Sequence, residues 1–294
     1  MMKILVLGSR GQLGQCLNDQ LAITEHDVVY TSREQIDIAE FEVTKVQMLE
    51  ISPDIVINAT AYTAVDKAEK EQQVADRINH LAVANITSIC IQLDCWLIHV
   101  STDYVFDGSS EIPYKEDNPT NPQGVYGNSK LKGELAIQKS GCKYLILRTA
   151  WVFSEYGNNF LKTILRIGSI NSNIDVVSDQ IGSPTYAQDI AKAIVKIIPS
   201  LSSSLNVAGI YHFCGDHPCS WYDFAFAIFE AASHGEADTP ATVNPITTEE
   251  YPTLAKRPPY SVLNCSKIYD VFGIDSSNWQ DGVISVISKL NAKT

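Results

Sequence analysis

Short apolar runs recur through the first half of the chain at intervals too long for hairpins: Ile4 to Leu7, Val28 to Tyr30, Ile55 to Asn58, Leu97 to Ser101 and Tyr144 to Arg148. Most are rich in Val and Ile and bounded by polar, Gly or Pro residues, the composition of strands buried on both faces of a parallel sheet. Segments of helical length fill the intervals, among them Leu13 to Leu21, Val43 to Leu49 and Val74 to Leu93. Parallel neighbours require such crossovers, so the βαβα order predicts an α/β, doubly wound fold. After about residue 150 the alternation fades into "NNFLKTILRIG", "IDVVSD" and the turn-rich "QIGSPT". An apolar helix from Ala187 to Ile198, a strand around His212 and a helix from Trp221 to Ala232 follow, with residues 200–206, "SLSSSLN", as a short polar connector. The expected organisation is a first domain over residues 1–150, with returns around 175–205, and a smaller interleaved C-terminal domain over 151–174 and 206–294.

The first strand runs directly into "GSRGQLGQCL", which sets Gly8, Gly11 and Gly14 at the start of a helix. Glycines there permit a tight turn and let a pyrophosphate approach the free N–H groups of the helix N-terminus, as in Rossmann-type dinucleotide sites. The spacing is Gly-x-x-Gly-x-x-Gly instead of the usual Gly-x-Gly-x-x-Gly, so position after the first strand carries the reading. At the end of the second strand "VVYTSRE" offers Thr31, Ser32 and Arg33 where NAD enzymes usually place an acid. Arg33 suits a 2′-phosphate and favours NADPH, Glu34 beside it favours NADH, and Asp37 and Ile38 are placed to flank an adenine.

Tyr126 and Lys130 in "VYGNSKLKGE" stand one turn apart on a helix face. A free phenol titrates near pH ~10, and a nearby ammonium favours its ionised form, so the pair is a tuned proton donor. Ser101 and Thr102 close the fourth strand, and ligands of open parallel sheets bind beyond the strands' carboxyl ends. The expected roles are Tyr126 as acid toward a carbonyl oxygen, Lys130 as its modulator and ribose anchor, and Thr102 as donor to the developing oxyanion.

The glycine turn, the hydroxyl and the Tyr-x-x-x-Lys helix, in this order, resemble the short-chain dehydrogenases/reductases. The segments "GSRGQLG", "PDIVINATAYTAVDKAE", "VSTDYVFDG", "IPYKEDNPTNPQGVYGNSKLKGE", "LRTAWVF", "DQIGSPTYAQDIA", "SWYDFA" and "RPPYSVLN" more closely resemble the dTDP-4-dehydrorhamnose reductases of the extended branch. That resemblance implies hydride transfer from NAD(P)H to C4 of dTDP-4-dehydro-L-rhamnose. It carries cofactor contacts onto Gly8, Gly11, Gln12, Leu13, Gly14, Asp37, Ile38, Ala61, Tyr62, Thr63, Tyr126 and Lys130. Sugar-side contacts fall on Val65, Asp66, Thr102, Asp103 and Trp151, and Arg257 offers a planar donor for the diphosphate. Thr60 stands where the family more often has alanine. A sibling NDP-sugar epimerase or 4,6-dehydratase is the alternative within the fold; dehydratases typically show Asp then Glu after the threonine, whereas here Asp103 is followed by Tyr104, which favours reduction over elimination. A nucleotide-binding regulatory subunit on the same scaffold is the alternative of another class.

A net charge of −12 speaks against a nucleic-acid surface, which needs positive patches to release counterions. The partner expected is a small nucleotide sugar, with homodimerisation left open. "MMKILVLG" leaves no room for a signal peptide, no apolar stretch approaches the ~20 residues of a membrane span, and seven scattered cysteines suggest free thiols in the cytoplasm. His212, Cys214, His217 and Cys219 cluster in "HFCGDHPC", but without the two separated pairs of a zinc site, so no metal-ligating residues are assigned and a divalent metal is left open without being indicated.

Overall fold

The computed structural model describes residues 1–202, 207–233 and 241–292; residues 203–206 of the serine-rich connector lie outside it. Strands β1 (Lys3–Leu7), β2 (Asp27–Thr31), β3 (Ile55–Asn58), β4 (Trp96–Thr102) and β5 (Lys143–Thr149) form one sheet with a sixth strand, Gly209–His212. All pairings are parallel, and the order across the sheet is Gly209–His212, β5, β4, β3, β1, β2.

Strand geometry sends alternate residues to opposite faces, and both faces are apolar here because both are covered. Ile4, Val6, Ile57, Leu145 and Leu147 meet helix α1 (Gln12–Leu21) and the helix Ala187–Ile197. Leu5, Leu7, Val56, Leu97 and Ile146 meet α2 (Phe41–Ile51) and the helix Ala82–Leu93. The fold is therefore the Rossmann-type doubly wound α/β sheet. Successive strands move outward from β1 to β2 and then resume on its other side at β3, which opens a crevice at the carboxyl ends of β1 and β3.

A second core lies apart from the sheet, where Phe153, Leu161, Ile164, Phe224, Ile228, Trp279, Val283 and Val286 pack together. Phe153 comes from the short strand Val152–Phe153 and the others from the helices Phe160–Gly168, Trp221–Ser233 and Trp279–Asn291, beside the parallel pair Asn173–Val177 and Thr242–Ile246. Two segments differ from the sequence division. Gly209–His212, grouped by sequence with the C-terminal domain, pairs with β5, and Tyr211 joins the core under α1. Asn173–Val177 pairs with Thr242–Ile246 away from the central sheet, so the return near 175–205 is made by the helix Ala187–Ile197.

The stretch Val74 to Leu93, read as one helix, contains a wider turn. Gln72–Asp76 is α-helical, Arg77–Leu81 is π-helical and Ala82–Leu93 is α-helical again. The helix carrying Tyr126, Val125–Gln138, sits tightly against this segment. A Cβ on Gly133 would lie 2.2 Å from Asn79 O, and one on Gly127 would lie 2.1 Å from Tyr104 O. Gly133 thus lets the helix approach the π segment closely, and Gly127 lets it approach the turn after β4. No helix of the described residues is long and apolar enough to cross a membrane.

Candidate active site

Two adjoining cavities open at the crevice. The larger, about 490 Å³, is walled by the α1 turn, the segments after β3, β4 and β5, and the Tyr126 helix. The smaller, about 240 Å³, runs from Gly8 to Asp37 and Ile38, with Arg10 and Arg33 on its wall. Gly11, Ala59, Thr60 and Ala61 line both, so the two form one continuous trough.

The glycine turn is a cradle that side chains would fill. Gly8 has φ +85°, and a Cβ on Gly14 would lie 2.2 Å from Gly8 O and 2.6 Å from Ser9 Cα. No side chain caps α1, which leaves its first N–H groups to a ligand. Ser101 Oγ and Thr149 Oγ1, both on the wall of the larger cavity, are buried with no hydrogen-bond partner among the described residues. These features fit a pyrophosphate-bearing dinucleotide. Gly14→Ala must push backbone against backbone, so cofactor affinity should fall tenfold or more, with about 1–3 kcal/mol of stability lost. Titration of cofactor binding and denaturant unfolding would check this, and wild-type values in both would mean the turn has room to spare.

Thr102 ends β4. Its hydroxyl donates to Asp103 Oδ1 at 2.9 Å and accepts the Tyr104 N–H at 3.2 Å. Asp103 is buried, and burial raises its carboxyl to about 6, partly offset by hydrogen bonds from Ser261 and Thr102. Tyr126 faces this group across the cavity wall, its ring edge-on to Tyr104 with centroids 5.7 Å apart. Burial pushes the Tyr126 phenol up to about 12; the Thr102 hydroxyl lowers it and the Asp103 charge raises it. The phenol is therefore protonated at neutral pH, the state required of an acid.

Lys130 shares the cavity wall with Tyr126 and turns its ammonium toward the end of β4. Its Nζ donates to Val100 O at 2.7 Å and stands 3.3 Å from His99 Nε2. Burial lowers Lys130 to about 8, with Glu134 one turn along opposing the shift. Burial thus raises the Tyr126 phenol, opposite in direction to the acidification expected from Lys130.

The remaining sequence candidates divide. Gln12, Leu13, Ala61, Thr63, Val65 and Trp151 line the larger cavity. Gln12 also accepts from Ser154 Oγ and Asn159 Nδ2, tying the cofactor turn to the loop before the Phe160–Gly168 helix. Tyr62 is not on either wall; its hydroxyl donates to Glu71 and its backbone is held by Asn79. Asp66 and Arg257 also stand off the walls and bind each other, with Arg257 Nη2 2.8 Å from Asp66 Oδ2. Trp221, Tyr104 and Thr149, unassigned from sequence, do line the cavity. Trp221 stacks on Trp151 with centroids 3.5 Å apart, and Trp151 takes the uncommon φ of +46°. Only Thr149 had a signal, its place at the carboxyl end of a sheet strand.

His212, Cys214, His217 and Cys219 do not converge. His212 Nδ1 binds Tyr114 O, Cys214 lies beside Cys265, and His217 is exposed and pairs with Asp216. Among the described residues, no group of three or more His, Cys, Asp or Glu is arranged to hold a metal ion.

Comparison with known proteins gives concordant matches. The family model described as the RmlD substrate binding domain matches residues 2–292. A dTDP-4-dehydrorhamnose reductase of Aggregatibacter actinomycetemcomitans is 42% identical over 95% of this chain and 96% of its own. The crystal structure of a dTDP-4-dehydrorhamnose reductase from Clostridium acetobutylicum superposes with a TM-score of 0.92 at 36% identity, covering 99% of this chain and 100% of that one. One from Bacillus anthracis, solved in complex with NADP, gives 0.91 at 35% identity, covering 98% and 99%.

Proposed function

The chain belongs to the dTDP-4-dehydrorhamnose reductase family, and from that membership we propose that it reduces the C4 ketone of dTDP-4-dehydro-L-rhamnose to dTDP-L-rhamnose with NAD(P)H, in nucleotide-sugar biosynthesis for cell-surface polysaccharide. The observation that carries the reading is one trough joining the glycine cradle to a buried, protonated phenol and its neighbouring hydroxyl.

When bound, NAD(P)H supplies the hydride. Gly8, Gly11, Gln12 and Leu13 would hold its pyrophosphate, Asp37 and Ile38 its adenosine, and Ala61 and Thr63 the segment between; Gly14 packs behind the turn. Arg10 and Arg33 lie on the adenosine wall and Glu34 does not, which supports a preference for the 2′-phosphate of NADPH. Tyr62, its backbone anchored by Asn79, fixes the loop that carries Ala61 and Thr63.

Tyr126 gives its proton to the ketone oxygen as charge develops there, and Thr102 offers a hydroxyl to the same oxygen. Asp103 accepts from a sugar hydroxyl. The Trp151 and Trp221 rings and Val65 give the sugar nucleotide flat apolar surface. Arg257, whose fork Asp66 partly occupies outside the two cavities, would have to turn donors inward to meet the diphosphate. Reaction in the reducing cytoplasm suits seven free thiols, including Cys214 and Cys265 with sulfurs 3.6 Å apart and unjoined.

The direct test mixes the purified protein with dTDP-4-dehydro-L-rhamnose and either reduced cofactor. Absorbance of the cofactor should fall in step with dTDP-L-rhamnose formed, faster with NADPH. No consumption of either cofactor at high enzyme would refute the activity.

A further inference from the structure

Behind the trough a buried polar chain runs from β3 to the Tyr126 helix, and the steps above make no use of its first two links. Asn58 closes β3, and its Oδ1 accepts the Thr60 N–H at 3.1 Å and the Thr60 hydroxyl at 2.5 Å. A backbone N–H can only donate, so that oxygen is fixed and the amide nitrogen faces the other way. Asn58 Nδ2 lies 3.2 Å from His99 Nδ1. An amide NH₂ also only donates, so Nδ1 presents a lone pair. A neutral imidazole keeps a single N–H, which therefore stands on Nε2 and points at Lys130 Nζ, 3.3 Å away. Asn58 and His99 have no exposed surface, and no water can relieve a mismatch cheaply. An amine lone pair accepts this N–H; an ammonium meets it donor to donor.

We propose that His99 is a positioning residue for Lys130: its proton, held on Nε2 by the Asn58 amide, favours the neutral amine of Lys130 over the ammonium. Only the catalytic consequence of this placement rests on the reduction assigned above. The proton arrangement belongs to the ligand-free chain.

Burial acts in the same direction on both groups. It lowers Lys130 to about 8, weakening an ammonium that still predominates at neutral pH, and keeps His99 well below the ordinary histidine range, the remaining Lys130 charge adding to that, so the imidazole is uncharged. The other charged groups on elements packed against the helix are engaged elsewhere. Glu134 is held by Arg148 of β5, Asp76 by Lys132 and His80, and Asp66 by Arg257. Glu69 accepts the Val125 N–H, Asp103 accepts from Thr102, Arg77 binds Ala39 O, and Lys67 is exposed. Tyr104 and Tyr126 are neutral phenols. His99 is thus the one titratable group in hydrogen-bond contact with Lys130 Nζ among the described residues.

The test uses the intact protein, labelled with ¹⁵N in histidine and ¹³C at lysine Cε, with Lys130 assigned by its absence in Lys130→Met. Long-range ¹H–¹⁵N spectra through neutral and mildly alkaline pH should show His99 protonated on Nε2 alone. His99→Gln can turn a carbonyl toward the ammonium, and should raise the Lys130 midpoint by about one pH unit, a tenfold gain in proton affinity. The basic limb of kcat/KM should move with it. A proton on His99 Nδ1 in the wild-type protein overturns the proposal, as does an unmoved Lys130 midpoint in the variant. If the variant does not fold, the wild-type spectrum decides alone. The expected spectra from a protein that consumes no reduced cofactor would leave the His99 placement standing and overturn the reduction.

Discussion

Tyr126→Phe should lower kcat by roughly 10²–10⁴ while leaving the cofactor dissociation constant within a few-fold of wild type. The variant deletes one hydroxyl from a ring whose edge-on contact with Tyr104 does not involve it, so the cavity wall keeps its shape. What goes is the proton held ready for the ketone oxygen, while the Thr102 hydroxyl stays in place. Steady-state rates should therefore fall in kcat with little change in KM, because the phenol's contribution grows only as charge develops. A kcat within tenfold of wild type would move the acid to another group. Tyr104 is the nearest phenol, but burial pushes its hydroxyl higher still than that of Tyr126, making it the poorer donor.

The largest stability effect is expected at Arg148, in β5. Its guanidinium forks onto Glu134 of the Tyr126 helix, with Nε 3.0 Å from Oε1 and Nη2 2.6 Å from Oε2. The two side chains are 2% and 0% exposed. The guanidinium also lies 5.1 Å from the Phe106 ring centroid and 3.4 Å from His212 Nε2, so one residue joins the helix, β5 and the sixth strand. Arg148→Met strands the Glu134 carboxylate without water or counter-charge and should cost about 3–5 kcal/mol. Arg148→Met combined with Glu134→Leu removes both charges and should recover most of that loss. Denaturant midpoints for the single and double variants would check this; a double variant no more stable than the single would mean that the pair's value lies in packing.

The sheet strands and the glycine turn were legible because their signals are local. An apolar run between polar boundaries, or a glycine after the first strand, states its own backbone requirement. Thr102, Tyr126 and Lys130 were legible as a set because the strand-end rule and a one-turn spacing bring them to one wall, and the family resemblance raised their weight. The sixth strand was not assignable to a sheet, since Gly209–His212 is apolar enough for either core and pairing with β5 is a long-range choice. Nor could sequence show that Asp66 binds Arg257, a contact between residues remote in the chain. The orientation of Lys130 was hidden for a different reason. It depends on an amide fixed by Thr60 and an imidazole three residues before Thr102, and periodicity reports neither.

The π segment Arg77–Leu81 amounts to one residue more than a continuous α-helix would need. Each residue turns an α-helix by about 100°, so excising one would mend the spiral but swing Asn79 away from the Tyr62 backbone and Ser129, which it now braces together. An unbroken helix could support the sheet equally well. The surplus residue serves the neighbouring loop instead, as a shim that sets how far the wall after β3 stands from the tyrosine helix, and therefore how wide the trough is.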